Sequence, residues 1–341
     1  MNIQWTEDRL NELLCTPSDE LVCDIAKTEG DITVLGAGGK MGPTMCVLAK
    51  NACKKAGVQK RIIAVSRFSD EHAVSLLKSH GIETVSCDLS DFAQLRTLPK
   101  TENIIFMAGL KFGTLGNEAN TWHMNATLPA VAAEYFRDSR FTVFSSGNVY
   151  PIVPLSSGGC REDDPPAPIG EYTQSVLARE RAFEYAAQTY GTRAFIFRLN
   201  FAVDLRYGVL CDMASNILAK RPISLATPAL NCIWQGSANE MAIRALLYAS
   251  APVTVMNITG PETLSVRNTA LELGRYLGVE PIFEEAEGQD AYLSNASKAM
   301  EVFGYPSVCA HTLIRWQAEW LKSGGRTLNK PTHFEERRGK Y

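Results

Sequence analysis

Three glycines define the first chemistry available to this chain. Gly36, Gly39 and Gly42 form G-x-x-G-x-x-G within Ile32-Thr-Val-Leu-Gly36-Ala-Gly38-Gly39-Lys40-Met41-Gly42, directly after an apolar strand candidate and before a helix candidate. In that setting the first glycine allows a tight turn, the second lets backbone approach a pyrophosphate, and the third lets helix pack close to strand. The helix N-terminus offers unpaired N–H groups and the positive end of its dipole to phosphates. A bound dinucleotide is therefore expected, with Gly36, Gly38, Gly39, Lys40, Met41 and Gly42 around it; the plain alternative is a tight turn without a ligand. An acidic residue at the end of the second strand would select NAD through the ribose hydroxyls. Here that strand ends Val65-Ser66-Arg67. Ser66 and Arg67 suit a 2′-phosphate and Lys40 adds positive charge, which favours NADP over NAD unless both cations are merely solvated.

The elements that would hold this turn follow from periodicity. Short apolar runs at Ile32–Leu35, Ile62–Val65, Ile104–Met107, Phe141–Ser145 and Ala194–Leu199 alternate with helix-period segments at Met41–Ala56, Asp70–Ser79, around Asn120–Arg137, and Tyr172–Tyr190. Nearly continuous apolar strands separated by helices indicate a parallel sheet covered on both faces, and right-handed crossovers make it doubly wound. Residues 1–30 read as a helical extension with Thr6 and Ser18 as caps, and residues 31–200 as the dinucleotide-binding domain. Residues 201–322, with helices at Met213–Leu218, Asn239–Ala249 and Val266–Leu277 and an extended piece at Val253–Ile258, read as a smaller C-terminal substrate lobe. Residues 323–341 form a polar, basic tail that wraps the surface or stays partly disordered.

Composition narrows the class. The chain has 341 residues, 45% hydrophobic and 21% charged, with a formal charge of −3, which gives no basis for nucleic-acid binding. Nine cysteines are scattered singly without C-x-x-C pairs, which points to buried thiols in a reducing cytosol and to no metal centre. No apolar run approaches a membrane span and the first residues, MNIQWTEDRL, lack a leader pattern. A cytoplasmic location is expected.

The ordered motifs resemble an extended short-chain dehydrogenase/reductase of the NAD-dependent epimerase/dehydratase group. They are the glycine turn, Asp88-Leu89 after the third strand, Ala108-Gly109 after the fourth, Ser145-Ser146-Gly-Asn148-Val-Tyr150 after the fifth, Glu171-Tyr172-Thr-Gln-Ser175…Glu180, Arg198-Leu-Asn200 and Gly260-Pro-Glu-Thr-Leu-Ser265. The resemblance covers roughly residues 31–322 and implies a Rossmann-type α/β fold. It implies Tyr172 as the acid/base, Ser146 hydrogen-bonding the same substrate oxygen, and Asn125 supporting the site. Asp88 and Leu89 would contact adenine, and Ala108 and Gly109 would flank the cofactor. Asn148, Asn200 and Arg206, with Tyr207 beside them, are expected to contact substrate along with Ser146 and Tyr172.

Two departures matter. A tyrosine with a pKa near 10 needs help to act as a base near neutrality; the family supplies a lysine four residues later, where this chain has Val176. Arg179, on a neighbouring helical face, either substitutes for it, also beside the cofactor, or pairs with surface carboxylates. The family's nucleotide-diphosphate sugar enzymes carry an arginine in the C-terminal lobe where this chain has Asn231, with Ser237 in place of a second charged residue, so a small sugar, sugar acid or polyol is expected instead. The expectation is thus an NAD(P)-dependent oxidoreductase or epimerase of carbohydrate metabolism, with a homodimer implied by the family. The alternative is a dinucleotide-binding sensor or scaffold with weak or no catalysis. His123, on the helix of Asn125, is a satisfied histidine more readily than a catalytic one.

Overall fold

A computed structural model describes residues 3–340. Seven parallel strands form the central sheet in the order β3-β2-β1-β4-β5-β6-β7. They are β1 Ile32–Leu35, β2 Ile62–Ser66, β3 Glu83–Ser86, β4 Asn103–Phe106, β5 Arg140–Ser146, β6 Arg193–Leu199 and β7 Thr254–Ile258. The chain reverses its direction of travel across the sheet between β1 and β4, which opens a crevice beyond their carboxyl ends. β1 and β4 are wholly buried, as strands covered by helices on both faces must be. This is the Rossmann-type doubly wound sheet.

The helices flank the sheet in two layers. On one side lie α3 (Gly42–Ala56) and α4 (Glu71–Ser79). On the other α6 (Leu128–Tyr135) packs against α7 (Glu171–Tyr190). Ahead of α6, the short α5 (Glu118–Trp122) continues through one π-helical turn at His123–Thr127. Such bulges widen a helix locally and often fall at functional sites; this one carries Asn125. Before the sheet, α1 (Glu7–Cys15) and α2 (Asp19–Lys27) start where Thr6 and Ser18 accept from the amides of Arg9 and Leu21. Both pack on α3.

Beyond β6 come α8 (Val209–Leu218), α9 (Gln235–Arg244), α10 (Val266–Leu277) and α11 (Ala310–Lys322). These are not all segregated from the sheet. β7 pairs with β6 through five residues, and α9 lies on α2 and α3. The tail is ordered and folded back: the amide of Leu328 donates to the Arg206 carbonyl, and Arg337 binds the Ala226 and Asp290 carbonyls at 3.1 and 2.8 Å.

Candidate active site and dinucleotide cradle

The glycine turn shows why those positions hold glycine. Gly36 has φ +92°, and a Cβ there would lie 2.7 Å from the Ala108 amide nitrogen. At Gly42 a Cβ would come within 2.2 Å of the Ala37 carbonyl oxygen, and at Gly38 within 2.5 Å of Ser66 Oγ. At Gly39 the nearest atom would be 3.5 Å away, so its backbone faces open space. The turn hangs from β2 through the Gly36 and Ala37 amides, both donating to the Val65 carbonyl. The residues therefore fit a pyrophosphate laid over Gly39 and the start of α3.

This turn opens into a cavity of about 670 Å³. Its wall includes Gly36, Gly38, Gly39, Lys40, Met41, Gly109, Asn125, Ser146, Asn148, Tyr172, Arg179, Asn200 and Arg206. Ser66, Arg67, Asp88, Leu89 and Ala108 stand outside that wall. Arg67 is well exposed and its guanidinium lies 3.9 Å from Asp88. The Ser90 amide and hydroxyl donate to Asp88, holding its carboxyl below the usual range. Lys40 does not join Ser66 and Arg67 as expected. Its ammonium sits 3.2 Å from the centre of the Tyr207 ring, because the turn aims this side chain at the C-terminal lobe.

Tyr172 occupies the first turn of α7 and hydrogen-bonds Ser146. Burial pushes its phenol up from the ordinary value, while the Arg179 charge and the Ser146 hydrogen bond pull it down. Val176 is buried in an apolar cluster with Val149, Tyr150 and Cys160. Arg179 is not a surface residue. It donates to the Phe144 carbonyl at 2.6 Å and to Asn125 Oδ1 at 3.0 Å, and its Nε has no hydrogen-bond partner among the described residues. All three features leave a cation held by neutral groups, with burial lowering its pKa to about 10. Asn125 Oδ1 also accepts from the Leu110 amide, while Nδ2 donates to the Leu110 carbonyl and to Ser175 Oγ. A Cβ at Gly109 would meet Arg179 Nη2 at 2.4 Å and Asn125 Oδ1 at 2.9 Å, so a side chain there would displace the guanidinium from its present place.

On the substrate side, Asn148 and Asn200 are buried. The Asn200 side-chain nitrogen lacks a partner among the described residues. Arg206 lines the cavity but is spoken for: its guanidinium binds Asp204, Glu7 and Asn11. These bonds brace the wall against α1. Asn231 binds the Glu262 carbonyl and the Ser294 amide, so its amide fastens two loops. His123 reaches the Ser90 carbonyl and stacks on Phe92. Among the described residues no group of three or more His, Cys, Asp or Glu is placed to hold a metal ion, and no helix is long and apolar enough to cross a membrane.

Sequence reasoning passed over Lys111, Phe112, Phe201, Asp212 and the tail's Lys330. Lys111 and Phe112 follow Ala108-Gly109 after one intervening residue, Leu110, in the loop beyond the carboxyl end of β4, where a doubly wound sheet opens its crevice. That position was the available signal. Lys330 had none, since a tail without periodicity carries no information about where it folds.

The fold and the turn together define a dinucleotide-binding α/β protein, and comparison with known proteins narrows the class. Residues 32–250 match the NAD dependent epimerase/dehydratase family, and the chain belongs to it, as an extended short-chain dehydrogenase/reductase. No curated protein matches the sequence. Similar solved structures include UDP-glucose 4-epimerase of Thermotoga maritima with UDP-glucose, at TM-score 0.69 and 18% identity, covering 86% of this chain and 99% of that one. WbmG of Bordetella bronchiseptica with NAD and UDP matches at TM-score 0.71 and 16% identity, covering 89% and 99%. UDP-glucuronic acid 4-epimerase of Bacillus cereus with NAD matches at 0.69 and 17%, covering 86% and 98%.

Proposed function

We propose that this protein is an NAD(P)-dependent epimerase or oxidoreductase acting on a hydroxyl or carbonyl of a sugar or sugar-like small molecule, with Tyr172 as the acid/base. The observation that carries the reading is the Tyr172–Ser146 hydrogen bond on the wall of the same cavity into which the glycine turn opens. Gly36, Gly38, Gly39, Met41 and Gly42 would hold the pyrophosphate, Ala108 and Gly109 would flank the cofactor, and Asp88 and Leu89 would meet the adenine. When bound, a nicotinamide supplies hydride acceptance and return. Tyr172 takes the hydroxyl proton or gives it back at its phenolic oxygen, and Ser146 donates to the same substrate oxygen. Arg179 stands in for the family lysine as the cation that favours tyrosinate, and Asn125 holds it in place. Asn148 and Asn200 orient the substrate.

The neighbours' names support a sugar substrate, and the NAD named with WbmG and with UDP-glucuronic acid 4-epimerase supports the cofactor class. Ser66 and Arg67 support NADP within that class. We place the protein in the cytoplasm, and propose a homodimer through α6 and α7, where Tyr185 is 61% exposed.

Val176 favours one other reading, a dinucleotide-binding sensor or scaffold. Replacing Tyr172 by Phe separates the two. For the enzyme, turnover on a sugar and polyol panel falls by about 10²–10⁴ while dinucleotide affinity holds. Equal turnover in Tyr172→Phe rules out the acid/base role, and wild-type protein that binds dinucleotide but turns over none of the panel favours the sensor.

A further inference from the structure

One residue of the cavity wall stands in a backbone conformation that its own side chain opposes. Phe201 has φ +43°, in the left-handed region where a bulky residue is an outlier and glycine is the ordinary occupant. Of the six non-glycine residues with positive φ among the described residues, Phe201 alone lines the cavity. Its neighbours impose the conformation. The Asn200 amide donates to the Ile258 carbonyl at 2.9 Å, the Phe201 carbonyl accepts from the Ile233 amide at 3.1 Å, and Ala202 pairs with Ile233 in a short parallel ladder. Glycine would meet the same backbone path with less strain, and strain kept at a cavity wall points to work for the side chain. The ring is half-buried, packed against the core beneath it. The centres of the Phe112, Phe201 and Tyr172 rings lie 5.2, 5.6 and 6.0 Å from one atom, Lys111 Nζ, so the three rings border one space. On the other side of Phe201, Asn200 closes on the serine loop: a Cβ at Gly147 would lie 3.1 Å from Asn200 Cβ. Asn200 is 2% exposed and lines the cavity, and its Nδ2 has no partner among the described residues. A buried donor left unpaired is costly until something accepts from it.

We infer that Phe201 determines substrate specificity: its ring packs on the carbon skeleton of a cyclic, hydroxylated substrate beside Tyr172 and Ser146, while Asn200 Nδ2 donates to an oxygen on that substrate's edge. The inference rests on the proposed function and names the substrate class for that site. A sugar in its ring form offers both surfaces at once, C–H groups on its faces and hydroxyls around its edge. Burial of the C–H groups against the phenyl ring supplies affinity, and the amide supplies orientation. An acyclic polyol with the same hydroxyls has no fixed apolar face, and its chain must be ordered on binding. The wall therefore prefers the closed ring.

The test joins stability to kinetics in Phe201→Gly and Phe201→Ala, both without the ring and only the first free of the strain. In urea unfolding of the dinucleotide-loaded protein, Phe201→Gly is expected to keep its midpoint at or above that of wild type, with Phe201→Ala below Phe201→Gly. Turnover is then measured with D-glucose, D-galactose, D-glucuronate and UDP-glucose. For the sugar that wild type turns over best, Phe201→Gly is expected to raise KM about tenfold and leave kcat within about threefold, while dinucleotide affinity stays within about threefold of wild type. D-glucitol, read as an inhibitor of that turnover, is expected to bind wild type at least about tenfold more weakly than the sugar and to change less than about threefold in Phe201→Gly. A Phe201→Gly midpoint well below wild type makes the ring a piece of the core and overturns the inference. An unchanged KM in Phe201→Gly also overturns it, as does D-glucitol that binds wild type as tightly as the sugar. Wild-type protein that turns over none of the four sugars defeats the proposed function itself.

Discussion

At the scale of single residues, the question is how Tyr172 works without a lysine one turn along. A lysine at position 176 would present a flexible ammonium to the cavity. The chain instead buries Val176 and sends Arg179 beneath the site, where Phe144 and Asn125 fix its guanidinium. Its pKa of about 10 keeps it cationic through neutral pH. Burial raises the Tyr172 pKa above its ordinary value, so the proton is held more firmly than in solution. On the proposed acid/base role, substrate oxidation would use the tyrosinate and is expected to quicken as pH rises from neutral into the alkaline range, whereas carbonyl reduction would use the protonated phenol and stay level there. Replacing Arg179 by Met removes the charge that favours tyrosinate and moves the oxidation limb to higher pH, with Arg179→Lys restoring part of the shift. An unchanged pH profile in Arg179→Met would leave Arg179 a purely structural residue. The proposed preference for NADP is tested at the same scale. Arg67 is loosely tied to Asp88 and largely exposed, so Arg67→Ala is expected to weaken NADP by about tenfold and leave NAD nearly unchanged; fluorescence titration with both dinucleotides reads this directly, and equal losses would refute a 2′-phosphate contact.

At the scale of elements, α7 is fixed to the sheet by one buried network. Arg198 of β6 makes two hydrogen bonds to Glu180, at 2.9 and 2.7 Å, while Ser145 of β5 donates to the same carboxylate. Arg198 also donates to the Tyr150 hydroxyl, which in turn donates to Asn257 of β7. Removing one member strands a buried charge, so Arg198→Met is expected to lose about 3–5 kcal/mol in urea unfolding. Adding Glu180→Leu removes the stranded charge and should recover much of the loss; a double variant no more stable than the single would mean that Tyr150 and Asn257 depend on Arg198 itself. The sheet that this network anchors was largely legible, because buried parallel strands such as Ile32–Leu35 leave continuous apolar runs. The third strand left no apolar run and was placed only through the family motif ahead of Asp88, since Glu83–Ser86 lies at the sheet edge with a polar composition. The π-turn at His123–Thr127 was equally hidden, because one extra residue in a helical turn barely disturbs the apolar period. Tyr172 and Ser146 could be paired through the family motif, but Arg179's direction depends on Gly109 leaving space for it, a three-dimensional fact.

At the scale of the whole molecule, the two ends of the chain close around the sheet. α1 meets Arg206 through Glu7 and Asn11, and Trp5 packs edge-on to Trp316 and Trp320 of α11. From α11 the tail returns across the cavity mouth, lining it with Arg326, Leu328, Lys330 and Thr332. It then reaches Gly170, where a Cβ would lie 2.5 Å from the Gly339 carbonyl oxygen. Gly170 immediately precedes α7, so Gly339 touches the start of the helix that carries Tyr172. The tail is thus one wall of the cavity, held largely by polar ties. Segments held this way open locally at lower free energy than the core. Removing two ties together, Thr332→Val and Arg337→Met, deletes the hydroxyl bond to Asp212 and the grip on Asp290 and Ala226. Amide exchange across residues 328–338 is then expected to accelerate with core strands unchanged. Because the glycine turn lies beneath and apart from these ties, dinucleotide affinity should hold while KM for substrate rises and kcat stays near wild type. If exchange speeds up and KM does not move, the tail covers the site without taking part in binding.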